Sequence, residues 1–103
     1  LEIGAYLIKE LLALATQFPI IGDVRGEGLF LGIELVDKNL NPLANHADYI
    51  ANRMKDHGIL MSTDGPDHNV LKIKPPMVFS LQNAKELLGY LKKILEEDFM
   101  KNF

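Results

Sequence analysis

The turn Ser62-Thr63-Asp64-Gly65-Pro66 and the following segment Val70-Leu71-Lys72-Ile73-Lys74-Pro75-Pro76-Met77 decide how this chain folds. In the turn, Asp accepts local backbone hydrogen bonds and Gly permits a positive φ. In the segment, charged and apolar residues alternate until two prolines end the strand. With Ile59–Met61 as the preceding strand, the pattern predicts a hairpin across residues 62–69 and therefore an antiparallel sheet.

Two upstream segments carry the spacing of a helix and of a strand. The apolar residues before Pro19 recur at helical intervals and predict an amphipathic helix: Ile3, Leu7, Leu11, Leu14 and Phe18. Residues 20–28 are rich in glycine and predict a connector. Residues 29–36 alternate and predict a strand with one face formed by Leu29, Leu31, Ile33 and Leu35.

Two further helices flank the hairpin in the sequence. After a turn at residues 37–42, the second helix is marked by Ala47, Ile50, Ala51 and Met54. We expect Asn45 to be its N-cap and Gly58 to end it at C′. Ser80 is the expected N-cap of the last helix, whose apolar stripe is Ala84, Leu87, Leu88, Leu91 and Leu95. Residues 98–103 are expected to fray or to dock on a surface outside this chain.

Length and composition suit one domain of the α+β class. The chain has 103 residues, of which 48% are hydrophobic and 24% charged, as in an ordinary globular protein. Strands with helices between and around them predict a mainly antiparallel, three- to four-stranded sheet covered by helices. Leu1 begins in mid-pattern, without a cap before the helical spacing, so we expect residues 1–103 to be a segment of a longer protein.

The charge and cysteine content exclude several classes of function. The formal net charge is -3 and the sequence pI is near 5.5, which leaves no basic field to attract nucleic acid. Without cysteine, neither a disulfide framework nor a thiolate metal site can form, which is compatible with a reducing compartment. No window reaches the roughly 18 apolar residues of a membrane span, so we expect no membrane partner.

Two motifs have simpler interpretations than a ligand site. His46, His57 and His68 lie eleven residues apart, which does not place two of them on adjacent helix turns as a paired metal motif requires. We therefore predict no metal site. Gly26-Glu27-Gly28 precedes a strand and not a helix, which favours a tight turn or bulge over a phosphate loop.

A cluster of hydroxyl, acid and imidazole groups also lies within the hairpin. Ser62 and Thr63 are near Asp64 and His68 in the sequence. A catalytic triad requires a nucleophile, a base and an orienting acid in a fixed relay, which sequence proximity does not provide. The turn is the simpler interpretation, and we predict no catalytic residue in this chain.

The two lysines of the hairpin strand leave two interpretations open. Lys72 and Lys74 project from one strand face, while Leu71 and Ile73 project from the other. The first interpretation is a solvated edge face. The second is anion recognition, because a lysine on a rigid strand acts as a point charge for phosphate or carboxylate.

Five segments of the chain form a combined pattern: residues 21–35, 58–60, 62–66, 72–77 and 79–80. Together they resemble the C-terminal small domain of class III pyridoxal-phosphate (PLP)-dependent aminotransferases, over almost the whole chain. The Val-Arg-Gly-x-Gly-Leu and Pro-Pro motifs are the most specific in combination. The Ser-Thr-Asp-Gly-Pro and Lys-x-Lys-Pro-Pro motifs are most similar to those of the phospho-lyase branch, which is often labelled alanine-glyoxylate aminotransferase 2-like. Members of that branch act on phosphoethanolamine or 5-phosphohydroxylysine.

The resemblance implies a fold-type I PLP enzyme of which this chain is one part. It implies a large domain, absent here, that holds the cofactor lysine and most phosphate contacts of PLP, and a homodimer. No matching cofactor-lysine motif occurs in this chain, so we expect no cofactor-binding residue in it and an inactive isolated domain. The expected location is intracellular and soluble, in the cytoplasm or the mitochondrion.

Within the resemblance, Lys72, Thr63 and Asp64 are the expected substrate-binding residues. Many family members have an arginine where Lys72 stands, and that arginine grips the substrate carboxylate. Lysine keeps the charge and loses the bidentate fork, which favours a phosphate-bearing substrate such as phosphoethanolamine. A transaminase that uses an amino acid and a keto acid is the alternative. A stand-alone module that binds an anion or a partner through the lysine strand is the alternative from another class.

Overall fold

The computed structural model describes residues 2–27, 30–73 and 80–103. The elements of these ranges are α1 (Glu2–Gln17), β1 (Ile21–Glu27), β2 (Phe30–Leu35), α2 (Ala44–Asp56), β3 (Ser62–Asp64), β4 (Val70–Ile73), α3 (Leu81–Leu95) and a C-terminal 3-10 helix (Asp98–Lys101). The predicted strand positions Leu29 and Lys74 and the prolines of the Pro-Pro motif lie outside the described residues.

The four described strands form one antiparallel sheet in the order β1-β2-β4-β3. The two central strands are joined by the pair Ile33 and Leu71. The hairpin of β3 and β4 pairs Ser62 with Lys72 and Asp64 with Val70. The prediction of an α+β fold with a mainly antiparallel sheet is therefore confirmed.

The helices cover one face of this sheet. The inward residues of the strands and the apolar stripes of α1, α2 and α3 belong to a single core. Leu7, Leu71 and Leu87 are at most 1% exposed, which shows how completely that core excludes water. Because side chains alternate along a strand, the residues between these inward positions lie on the other face. We call that second face the charged face; it includes Asp23, Arg25, Phe30, Gly32, Glu34, Ser62, Asp64, Val70 and Lys72.

The predicted ends of α2 and α3 are confirmed at two of three positions. Ser80 caps α3, since its hydroxyl oxygen accepts the Asn83 N–H at 3.1 Å. Gly58 follows the α2 C-cap with φ +78°, as expected for a C′ glycine. The prediction that Asn45 is the N-cap of α2 was wrong, because Asn45 lies inside the helix. The N-cap is Leu43, whose side chain makes no capping hydrogen bond. The helix begins earlier because Leu43 is tied to the sheet through its N–H bond to the Leu35 carbonyl.

Two expectations for extended segments were wrong. Residues 21–27 of the predicted connector form β1, because pairing with β2 supplies the hydrogen bonds that glycine-rich sequence does not specify. Residues 59–61, predicted as a strand, precede the strand that pairs with β4, which is β3 at residues 62–64. The hairpin itself is confirmed, with a tighter loop at residues 65–69.

The C-terminal segment, which was expected to fray or to dock outside this chain, packs against α2. Glu97 binds Arg53 of α2 through both carboxylate oxygens, at 3.0 and 2.7 Å, and also accepts the Tyr49 hydroxyl. Phe99 stacks on Tyr49 at 4.5 Å between ring centroids, and Met100 is 2% exposed. The sequence pattern missed this docking because the partners lie more than forty residues away.

No helix of the described ranges is long and apolar enough to cross a bilayer.

Candidate functional site

Lys72 lies at the centre of the charged face, on β4. Its side chain is 24% exposed, and its Nζ lies 2.7 Å from Asp64 Oδ2. The same Nζ lies 5.3 Å from the centroid of the Phe30 ring, a cation–π distance. The ammonium group is thus held between a carboxylate and an aromatic ring, on a strand that pairs on both sides.

Asp64 is fixed by the turn that follows it. Its Oδ1 accepts the Gly65 N–H at 2.7 Å, and Gly65 has φ +89°, as the turn composition predicts. A Cβ at Gly65 would lie 3.1 Å from a Val70 methyl, so the turn leaves little room for a side chain there. The pKa of Asp64 is lowered, most strongly by the hydrogen bond from Lys72 and next by the hydrogen bond from the Gly65 N–H. The carboxylate is therefore charged and positioned at neutral pH.

The three expected substrate-binding residues do not share one face of the sheet. Thr63 pairs with the fully buried Leu71, so it lies on the helix-covered face of β3 and is half-buried. Ser62 pairs directly with Lys72 and is exposed. Direct partners in an antiparallel pair have Cβ atoms about 4.5–5.5 Å apart. The structure brings Lys72, Asp64 and Ser62 together, and it places Thr63 on the other side.

Sequence reasoning did not select Arg25, which also lies on the charged face. Arg25 Nη1 lies 2.9 Å from Asp23 Oδ2 and 3.8 Å from Glu34 Oε1. Its β1 position pairs with Gly32, which in turn pairs with Lys72. If residues 21–27 had been interpreted as a strand and not as a connector, alternation would have placed Arg25 on the face opposite the apolar Val24.

The other sequence motifs have structural positions outside this group. His46 Nε2 lies 2.8 Å from the Asn102 carbonyl oxygen, and His57 stacks on Tyr90 at 4.1 Å. His68 is exposed in the hairpin loop with φ +54°. Across residues 2–27, 30–73 and 80–103, no three potential metal ligands come together.

This arrangement can bind and orient an anion. A lysine ammonium donates hydrogen bonds and carries a full positive charge, and here it pairs with Asp64 at 2.7 Å. Ion pairs between partly exposed groups contribute little to stability, so another anion can replace or join Asp64 at a small free-energy cost. Among its described side chains, the charged face offers no nucleophile and base in a fixed relay.

The chain resembles known proteins over most of its length. Residues 1–95 match the family model described as Aminotransferase class-III. The chain is 51% identical over 94 residues to the alanine–glyoxylate aminotransferase 2-like protein of Drosophila melanogaster, covering 87% of the chain and 19% of that protein. It is 41% identical over 98 residues to the ethanolamine-phosphate phospho-lyase homolog 1 of Caenorhabditis elegans, covering 91% of the chain and 21% of that protein.

A solved structure has the same fold. A phospholyase from Arthrobacter in complex with phosphoethanolamine superposes with a TM-score of 0.83 at 38% sequence identity, covering 91% of this chain and 23% of that one. The chain therefore spans about a fifth of the length of the relatives that it matches.

Proposed function

Since the chain belongs to the aminotransferase class-III family, we propose that it is the C-terminal small domain of a PLP-dependent phospho-lyase that acts on a phosphorylated amine. Residues 1–103 form this domain, and a large domain of the same polypeptide binds the cofactor. The active protein is an intracellular homodimer, cytoplasmic or mitochondrial. The similarity to an ethanolamine-phosphate phospho-lyase homolog and to a phospholyase supports this choice within the family.

The observation that carries the proposal is the position of Lys72. The family resemblance implies an arginine at this position in many members, whereas this chain has a lysine whose ammonium lies on the charged face of a central strand. A point charge suits a phosphate, whereas a planar fork suits a carboxylate. Lys72 binds the phosphate end of the substrate, and Asp64 beside it forms part of the wall of the site. Thr63, which lies on the helix-covered face, supports this wall from behind and does not contact the substrate.

The residues of this chain fit a supporting role toward PLP. When bound, PLP supplies an electron sink for the reaction. The Lys72 ammonium is paired with Asp64 at 2.7 Å, which suits a lysine that binds an anion and not one that bonds the cofactor. In this proposal the chain binds and orients the substrate, and the large domain holds PLP.

Product analysis of the full-length protein tests the reaction. With phosphoethanolamine as the only substrate, a phospho-lyase releases acetaldehyde, ammonia and phosphate. In a second assay with an added keto acid, transfer of the amino group to it without phosphate release would instead identify a transaminase, the activity named for the Drosophila relative.

Replacing Lys72 tests its role in the same protein. We expect Lys72→Gln to raise KM for phosphoethanolamine by about tenfold to a hundredfold, since a charge-assisted hydrogen bond is worth about 1.5–3 kcal/mol, and to leave kcat largely unchanged. Lys85→Gln is the matched control, because Lys85 is exposed on α3 in the helix layer. An unchanged KM in Lys72→Gln would rule out the phosphate contact.

A further inference from the structure

The strand register places two cations and a hydroxyl in one row across the charged face. Arg25 pairs with Gly32, Gly32 pairs with Lys72, and Lys72 pairs with Ser62. The row therefore crosses all four strands at one level of the sheet. Because strands lie about 4.8 Å apart, the Arg25 and Lys72 backbones are separated by about 10 Å.

Gly32 is the reason why the two cations can share one ligand. It occupies the row position on β2 between them and contributes no side chain. Any larger residue there would project from the charged face between Arg25 and Lys72. Gly32 is itself buried, so an anion would lie outside the atoms that cover it, where it can reach the Arg25 guanidinium from one side and the Lys72 ammonium from the other.

The carboxylates of this face hold the cations in place without preventing exchange. Asp23 and Glu34 pair with Arg25, and Asp64 pairs with Lys72. The Arg25 and Lys72 side chains are 36% and 24% exposed, and such pairs change an equilibrium constant by at most about fivefold. A phosphate carries about -1.5 to -2 charges at neutral pH and three acceptor oxygens, so it can compete for both cations.

We propose that Arg25 and Ser62 complete the phosphate-binding site around Lys72, with the phosphate monoester of the substrate lying along the row Ser62, Lys72, Gly32 and Arg25. The guanidinium donates to two phosphate oxygens, the ammonium supplies a point charge, and the Ser62 hydroxyl donates to a third oxygen. This inference rests on the proposed function and assigns two specificity-determining residues to the same site.

The test uses the full-length holoenzyme and two readouts, KM for phosphoethanolamine and the inhibition constant of inorganic phosphate. We expect Arg25→Gln to raise both constants about tenfold and Ser62→Ala about threefold, each with little change in kcat. Arg25→Lys restores the charge without the fork and should recover part of the loss. Lys85→Gln removes a charge from the helix layer and should leave both constants unchanged.

The outcomes separate this inference from the proposed function. If Lys72→Gln weakens phosphate binding while Arg25→Gln and Ser62→Ala do not, the row is overturned and the role of Lys72 stands. If Lys72→Gln also has no effect, the proposed phosphate contact fails together with the row. Should Arg25→Gln not fold, Ser62→Ala decides, because Ser62 is exposed; an unchanged inhibition constant would overturn the row.

Discussion

At the scale of single residues, two glycines of this chain differ in the space available for a side chain. Gly22 lies where the register of β1 and β2 shifts, and a Cβ there would come within 2.5 Å of Val36 Cγ2. Valine is stiff at χ1, so its side chain cannot easily turn away. Gly89 lies on the exposed side of α3, and a Cβ there would meet no atom within 4 Å. The first glycine is required by packing, and the second only costs helix stability.

Alanine at the two positions should therefore have opposite effects. We expect Gly22→Ala to lower the free energy of unfolding by about 1–3 kcal/mol, as overpacking does, and Gly89→Ala to raise it by about 0.5–1 kcal/mol. Urea denaturation of the two variants measures both changes. Equal effects of the two substitutions would contradict this account of Gly22.

At the scale of elements, the docking of the C-terminal segment on α2 depends on one carboxylate. Glu97 receives the Arg53 guanidinium and the Tyr49 hydroxyl, and its side chain is 28% exposed. The pKa of Glu97 is lowered to about 2, most strongly by the hydrogen bond from Arg53 and next by the hydrogen bond from Tyr49. His46 adds a second attachment through the Asn102 carbonyl, and Phe99 packs between these contacts.

The stability that Glu97 provides should depend on pH in one direction. Its pKa is lower in the folded chain, about 2, than the ordinary value of 4.5, so its contribution is fully present above pH 4.5 and is lost as the pH falls toward 2. We expect the chain to be more stable than Glu97→Gln at pH 7 and the difference to shrink across that interval.

Urea denaturation of both proteins at several pH values measures this difference. Glu96→Gln is the matched control, because Glu96 is the exposed neighbour. A difference between the chain and Glu97→Gln that stays constant down to pH 2 would show that the Arg53 contact does not stabilise the charged carboxylate.

At the scale of the whole molecule, the strand order concentrates stability in the middle of the sheet. β2 and β4 pair on both sides, whereas β1 and β3 pair on one side within the described ranges. Lys72 and Gly32 belong to the two central strands, and Arg25 and Ser62 belong to the strands that flank them. The row of Ser62, Lys72, Gly32 and Arg25 therefore has its two central residues on strands that pair on both sides and its two outer residues on less constrained strands.

Amide hydrogen exchange should show this gradient. We expect the hydrogen-bonded amides of β2 and β4 to exchange most slowly, because their opening requires loss of the core, and those of β3 to exchange fastest among the strands. Residue-resolved exchange by NMR checks the order. Protection of β3 equal to that of β2 would contradict the strand order as the source of stability.

The local patterns of the sequence predicted much of this architecture. Helical spacing identified α1, α2 and α3, and the Ser80 cap and the Gly58 terminus follow from side-chain and backbone chemistry within a few residues. Alternation identified β2 and β4, and the motifs along the chain identified the family. The position of Lys72 on a strand with one apolar face could be predicted because it depends only on neighbouring residues.

The sequence by itself thus determined the helices, the hairpin, the family and the position of Lys72 on a strand, all of which depend on local spacing and on motifs. Only the tertiary structure decided that residues 21–27 pair as β1, that Glu97 docks on Arg53, and that Lys72 pairs with Asp64 while Thr63 lies on the other face. These features depend on strand register and on contacts between residues far apart in the chain. A shift of one residue in register moves a side chain to the opposite face, and no local pattern fixes it.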